Sequence, residues 1–529
     1  MFAQRTQPKT FNPVVAGDQA SREVIHRLTG DLIHINRATL KVEPGLAKSW
    51  TVTPDGRRYV LELRCGVRFS DGHPFDADDV LFSFQVYLDE KTGSAQRDLL
   101  ILEGKPIVVR KLDACTVAFD LAQPYAAAER LFDGFAILPR HLLGRAYQEG
   151  KLAEAWNLRT PRAEMAGLGP FRLKEAVPGQ HITLERNPYY WKTDAEGRKL
   201  PYLNEITFAF AGGEEGQILR FQAGESDQIS RLSAKNFAHL EKRQAGKGYR
   251  LVDLGPGLEH TFLFFNLNTA SRGTLPRQVP FHRRSFRQAV SAAVDREAIC
   301  RLVYLGHATP LAAPVSPGNR AWVNQRIPRP ARSLDRARAL LAADGFTWAA
   351  GGGLLDPRGR PVEFSILTSA GNPERVQMAT IIQDDLARLG MRVHVTPVEF
   401  RSLLDRVQKT REYEACLLSL GSGDADPNAD MNVWLSSGAS HLWNPGQKSP
   451  GSAWEAEIDA LMRRQLVTRG YAGRKRLYDR VQELLAENLP LIPLVSPNIL
   501  VGAKTNLGNF RPAILDHYTL WNAEELFWR

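Results

Sequence analysis

The segment VEFSILTSAGNPERVQMATIIQDDLARLGMRVHVTPV, residues 362–398, limits the fold more than any other part of the chain. Val362, Phe364 and Ile366 alternate as in a strand. Ala379, Ile382, Leu386 and Leu389 then recur at helical spacing, Gly390 stops the helix, and a second strand follows from Met391 to Val395. A helix of this length between two strands predicts a parallel pair with a right-handed crossover. The chain is therefore expected to be an α/β protein, at least in its second half.

The flanking sequence extends that reading. Phe286, Ala289, Val290, Ala293 and Val294 form the apolar stripe of a helix, Asp295 can cap the next helix, and Ser333 can cap another that runs towards Gly345. Two long helices are predicted near the end, one carrying Trp454, Ile458 and Leu461, the other Leu477, Val481, Leu484 and Leu485, with Pro490 closing the second. The first third reads mainly as strands. Tyr59, Leu61 and Leu63 share one face of one strand, and Val117, Phe119 and Leu121 share one face of another. Between them Asp76 fits the N-cap of a helix, with Asp78 and Asp79 in its first turn, where carboxylates favour the helix dipole. At 529 residues the chain exceeds what one core supports, so two or three domains are expected.

Charge excludes little. Lys and Arg number 68 against 58 Asp and Glu, a formal charge of +10. The excess is spread along the chain, without the basic stripe and interleaved aromatics of a nucleic-acid binder. Its densest groups, Arg463–Arg464 and Arg474–Lys475–Arg476, read as solvated helix faces. No two of Cys65, Cys115, Cys300 and Cys416 have metal or redox spacing. Four buried thiols and disulfide pairing both fit, and Cys65 with Cys115, which flank neighbouring strands, would be the cross-strand pair. No apolar run reaches the ~18 residues of a membrane span, because Pro490, Pro493 and Pro497 interrupt the most apolar stretch.

Catalytic signatures are missing: no Gly-x-Ser-x-Gly, no phosphate-binding loop, no His-Glu-x-x-His. The twelve His are scattered and suggest no metal set. The acidic stretch GSGDADPNADMNVW fails as a calcium loop, with Ala429 where Gly is needed and Leu435 where Glu is needed. It stands as a polar loop after the apolar strand Ala415–Leu420, where α/β proteins place ligand contacts, and also as ordinary Asp-x-Asp-Pro turn chemistry.

Several segments, in order, carry a family resemblance: PKTFNP at 8–13, PGLAKSW at 44–50, DGRRYVLELRCGVRFSDGHPFDADDVLFSF at 55–84, GLGPFRLKE, ERNPYYWK, FFNLNT at 264–269, FRQAVSAAVDREAI at 286–299, and RKRLYDRVQELLAENLPLIPL. In these the chain resembles the family 5 extracellular solute-binding proteins of ABC importers, which include oligopeptide-, dipeptide- and nickel-binding members. The resemblance implies a periplasmic binding protein type II-like fold: two lobes with a hinge plus an inserted strand-rich domain. The implied division is residues 1–40, 167–258 and 490–529 for one lobe, 41–166 for the insert and 259–489 for the other lobe. Strand crossings near Phe264 and Pro490 would form the hinge. Such proteins close around a solute and deliver it to membrane permease subunits; they need no cofactor, bind no nucleic acid and catalyse nothing. They work as monomers, in the periplasm or on the outer face of the membrane. Only seven residues precede Pro8, so the chain is expected to be mature, trimmed or read from a late start codon.

The resemblance also implies a site. In peptide binders of this kind an Asp in a Gly-Asp…Asp-Pro loop pairs with the peptide ammonium group, and Gly423, Asp424, Asp426 and Pro427 match that loop. Asp424 and Asp426 are thus the candidate ligand contacts. Phe262 and Phe264 on the crossing strand, and Trp434 and Trp443 beyond the loop, are candidate pocket walls or ordinary core aromatics. A non-peptide solute, such as a nickel chelate, a sugar or an opine-like compound, is the alternative on the same fold. An enzyme using the Asp424 loop is a further one.

Overall fold

The computed structural model describes residues 1–529 except Ala95, Glu103, residues 269–278, Ser422 and Gly423. It is a mixed α/β structure whose chain falls into two compact units. One holds Met1–Leu232, His239–Val252 and Leu500–Arg529; the other holds Ser233–Ala238 and Asp253–Ile499.

In the first unit, strands Phe171–Val177, His181–Arg186 and Glu205–Phe210 form an antiparallel run that the N-terminal strand Phe2–Gln4 joins in parallel. A separate antiparallel sheet is built from Ala47–Val52, Arg58–Leu63, Thr116–Asp120 and Val108–Asp113, in the order 47–52, 58–63, 116–120, 108–113. Its alternation is the expected one: Tyr59, Leu61 and Leu63 are buried with Val117, Phe119 and Leu121. They pack under helix Ala77–Leu88, where Phe84 meets Phe119 edge-on at 4.9 Å. Asp76 caps that helix as expected, and Asp79 returns a bond to the Asp76 N–H, so two backbone donors are satisfied reciprocally. Asp79 is more than a dipole partner, because it also accepts the N–H of Arg140 at 3.0 Å and ties on the next helix. Cys65 and Cys115 are joined as a disulfide with Cα atoms 5.8 Å apart, while Cys300 and Cys416 are free and buried. The reading of four thiols is thereby corrected.

The second unit is organised by residues 362–398. Glu363–Ser369 and Arg392–Val398 are parallel and are joined by helix Pro373–Ala387, which Asn372 caps. Gly390 turns the chain between them at φ +87°, and a Cβ there would lie 2.3 Å from the carbonyl oxygen of Gly352. Ala415–Leu420 pairs in parallel with Glu363–Ser369 and antiparallel with His260–Phe265. That last strand is apolar on both faces. Leu263 and Phe265 join the core formed with helix Arg284–Ala293 and the crossover helix, while Phe262 and Phe264 join the core formed with helices Ala453–Val467 and Tyr471–Asn488. Burial on both faces is the mark of a central strand under two helical layers. Asp295 and Ser333 cap their helices as expected. The Pro-rich tail is a 14-residue strand, Leu491–Lys504; Pro493 sits where the pairing with His260–Phe265 shifts register, which is where a strand tolerates proline.

Candidate functional site

The acidic loop lies in the second unit, directly after strand Ala415–Leu420. Ser422 and Gly423 fall outside the described residues, so the Gly of the Gly-Asp match has no structural account. From Asp424 onward the loop is built by its own side chains. Asp424 accepts the N–H of Ala425 at 2.6 Å, and Asn319 holds the Ala425 carbonyl at 2.8 Å. Asp426 caps a short 3-10 turn, Pro427–Asp430, by accepting the N–H of Asn428.

The two candidate acids have different environments. Asp426 is 5% exposed and takes a two-pronged bond from Arg474, at 2.6 and 2.8 Å. The same guanidinium bonds Gln465 and lies 5.0 Å above the Trp322 ring. Arg474 is thus itself buried, which corrects its reading as part of a solvated helix face: Asp426 supplies the charge that makes burial tolerable. Asp424, in contrast, is half-buried. A third acid, Asp430, stands beside it on the 3-10 turn. Burial, together with the charges of Asp424 and Asp426, pushes the Asp430 carboxyl up to about 7. Because its ordinary value is 3.8, the folded state holds this proton more tightly than the unfolded chain does. Stability is therefore expected to fall as pH rises from about 4 to about 7, and to stay at the lower level above that. Asp430→Asn should be as stable as the parent at pH 4 and more stable at pH 8, by on the order of 1–2 kcal/mol for a partly screened group. Melting curves across that range check it; a constant gap between the two proteins would count against a proton retained on Asp430.

The aromatic candidates are core residues. Phe262 and Phe264 have no exposed surface, Trp434 is 1% exposed, and Trp443 is fully buried with its indole N–H donated to Glu455 at 3.0 Å. All four belong to one apolar cluster with Tyr413, Tyr478 and Leu418. The structure therefore brings Asp424 together with Asp430 and assigns Asp426 to an internal ion pair. The sequence places Asp430 in the acidic stretch with Asp424 and Asp426 but gives it no part among the candidate ligand contacts.

Residues 41–441 match the family described as bacterial extracellular solute-binding proteins, family 5. The chain belongs to that family. Among curated relatives of this family 5 protein, the oligopeptide-binding protein AppA of Bacillus subtilis is 25% identical, covering 96% of this chain and 87% of the relative. Di/tripeptide-binding protein 1 of Pseudomonas aeruginosa is 27% identical, covering 97% and 91%. Among solved structures, NikA from Brucella suis in complex with Fe(III)-EDTA superposes with a TM-score of 0.82 at 23% identity, over 100% of this chain and 99% of that one. The family 5 protein is thus a solute-binding receptor of the ABC-importer class with the fold the resemblance implied. Among its described residues no helix is long and apolar enough to cross a membrane.

Proposed function

We propose that this receptor captures an organic solute bearing a free ammonium group, with peptides as the best-matched class, and that Asp424 anchors that group. The observation that carries the reading is the place of Asp424: half-buried, directly after strand Ala415–Leu420, in the loop whose other candidate acid, Asp426, is held by Arg474. Burial, with the charges of Asp424 and Asp426, keeps a proton on Asp430 up to about 7, and an ammonium arriving at Asp424 weakens the hold on that proton, while a charge-assisted bond fixes the solute's orientation. The peptide-binding names of the two curated relatives agree with this choice. The receptor would work as a monomer in the periplasm or at the outer face of the membrane and would deliver its solute to ABC permease subunits.

Calorimetry on Asp424→Asn tests it. Free-amine di- and tripeptides should lose about 2–5 kcal/mol of binding, the usual penalty for removing one partner of a buried charge pair. N-acetylated analogues should lose far less. Equal losses for both, or none, would reduce Asp424 to a turn residue. Affinity for free amines should also fall as pH drops below 7, since the ammonium must then displace the Asp430 proton. The limit is about tenfold per pH unit for one displaced proton.

A further inference from the structure

The first unit contains a cavity of about 770 Å³ with histidines and carboxylates in its wall. That volume is within the ~300–1,000 Å³ usual for small-molecule sites. His34 lies on the short strand Ile33–Ile35, and its Nδ1 is 3.2 Å from Asp31 Oδ2 and 3.5 Å from Asp133 Oδ1. One donor atom from each of Asp31, His34 and Asp133 can be chosen so that all three lie within 4.8 Å of one another. Donors bound at 2.0–2.2 Å to one tetrahedral ion stand roughly 3.3–3.6 Å apart, so the two measured edges are near those of a coordination shell.

We propose that Asp31, His34 and Asp133 hold a divalent first-row transition metal. Glu43, opposite His34 in the antiparallel pair Ile33–Ile35 with Val42–Pro44, also lines the cavity, but its Oε1 accepts from Asn36 at 2.9 Å and it is not part of the donor set. The mixture of imidazole and carboxylate suits zinc or cobalt. The outer shell is in place: Arg37 bonds both oxygens of Asp133, at 3.0 and 2.8 Å, and the Ile35 N–H bonds Oδ1 at 2.6 Å, which fixes the carboxylate's orientation. His26, whose ring is 6.3 Å from that of His34, stands beside the cluster as a further imidazole. The alternative occupant of the same geometry is a proton, with His34 as an imidazolium between two aspartates.

Zinc separates the two. The full chain, stripped with EDTA and titrated with Zn²⁺ against a competing chelator, should take up one ion. His34→Gln and Asp31→Asn should each weaken binding by more than about 100-fold, beyond the 10–100-fold that loss of an outer-shell partner costs. A crystal grown with zinc should show its anomalous peak beside His34 Nδ1, which locates the ion even if a variant fails to fold. No tight zinc, an unchanged affinity in both variants, or a peak at the stacked His73–His141 pair would overturn the assignment. Asp424→Asn should keep its zinc, so failure of this site is distinguishable from failure of the ammonium anchor.

Discussion

Asp426→Ala is expected to destabilise the second unit by about 3–5 kcal/mol, the cost of breaking a buried ion pair from one side. The size follows from what remains behind. Arg474 is 6% exposed, and without Asp426 its positive charge would have only the neutral Gln465 oxygen and the Trp322 face for compensation. The cap on the turn Pro427–Asp430 would go at the same time, adding about 1 kcal/mol. Calorimetric unfolding should show the transition of this unit moving down while a control at an exposed acid of the same unit, Glu412→Gln, stays within about 0.5 kcal/mol of the parent, as surface changes do. A double variant that also replaces Arg474 with methionine should recover much of the loss, because it removes the stranded charge. If Asp426→Ala melts with the parent, Asp426 is not engaged by Arg474 and becomes available as a ligand contact. The same experiment thus tests which acid of the loop serves structure and which serves binding.

Loss of the Cys65–Cys115 bridge is expected to have an effect of similar size in the first unit. The bridge spans a sequence separation of 50, and closing a loop of that length removes about 4 kcal/mol of chain entropy from the unfolded state. The loop encloses the helix Ala77–Leu88 and the strand Val108–Asp113, and its ends adjoin Arg58–Leu63 and Thr116–Asp120, so the loss falls on one cooperative piece. Denaturation with and without reductant, compared with the double variant Cys65→Ser/Cys115→Ser, measures it. Thiol counting in non-reducing denaturant should find two reactive groups, Cys300 and Cys416. Four would mean that the bridge does not form, and an unchanged transition on reduction would mean that the loop is already held by its packing.

Local chemistry accounts for what was legible beforehand. The parallel strand pair around Pro373–Ala387, the caps at Asp76, Asp295 and Ser333, and the buried faces of Arg58–Leu63 and Thr116–Asp120 all follow from spacing within a few residues. The family itself was readable from ordered segments along the chain. What spacing does not carry is which distant side chain completes a local group. Arg474 meets Asp426 across 48 residues, and in sequence it looks like one of three basic residues on a polar helix face. His26 stacks on His517 with ring centres 4.3 Å apart and nearly 500 residues between them, so scattered histidines concealed a cluster. The aromatic pair Phe262 and Phe264 was ambiguous for a different reason. Alternation identifies one face of a strand, but HTFLFF is apolar on both, and only the helical layer over each face shows that neither is open. The disulfide was open in the sequence because two strand ends can be neighbours without their Cβ vectors meeting.

The two unbridged cysteines make the chain unusually quiet towards electrophiles. Cys416 has no exposed surface and Cys300 is 6% exposed; burial, with Glu297 nearby, pushes the Cys300 thiol up to about 12. Alkylating reagents attack thiolates, and neither residue offers one at neutral pH. A cysteine introduced at an open position such as Leu219, which is 67% exposed, would therefore be the single labelling point on an otherwise native chain. A fluorophore attached there needs no prior removal of native thiols, so the receptor is ready-made as a scaffold for an optical sensor of whatever solute it takes up.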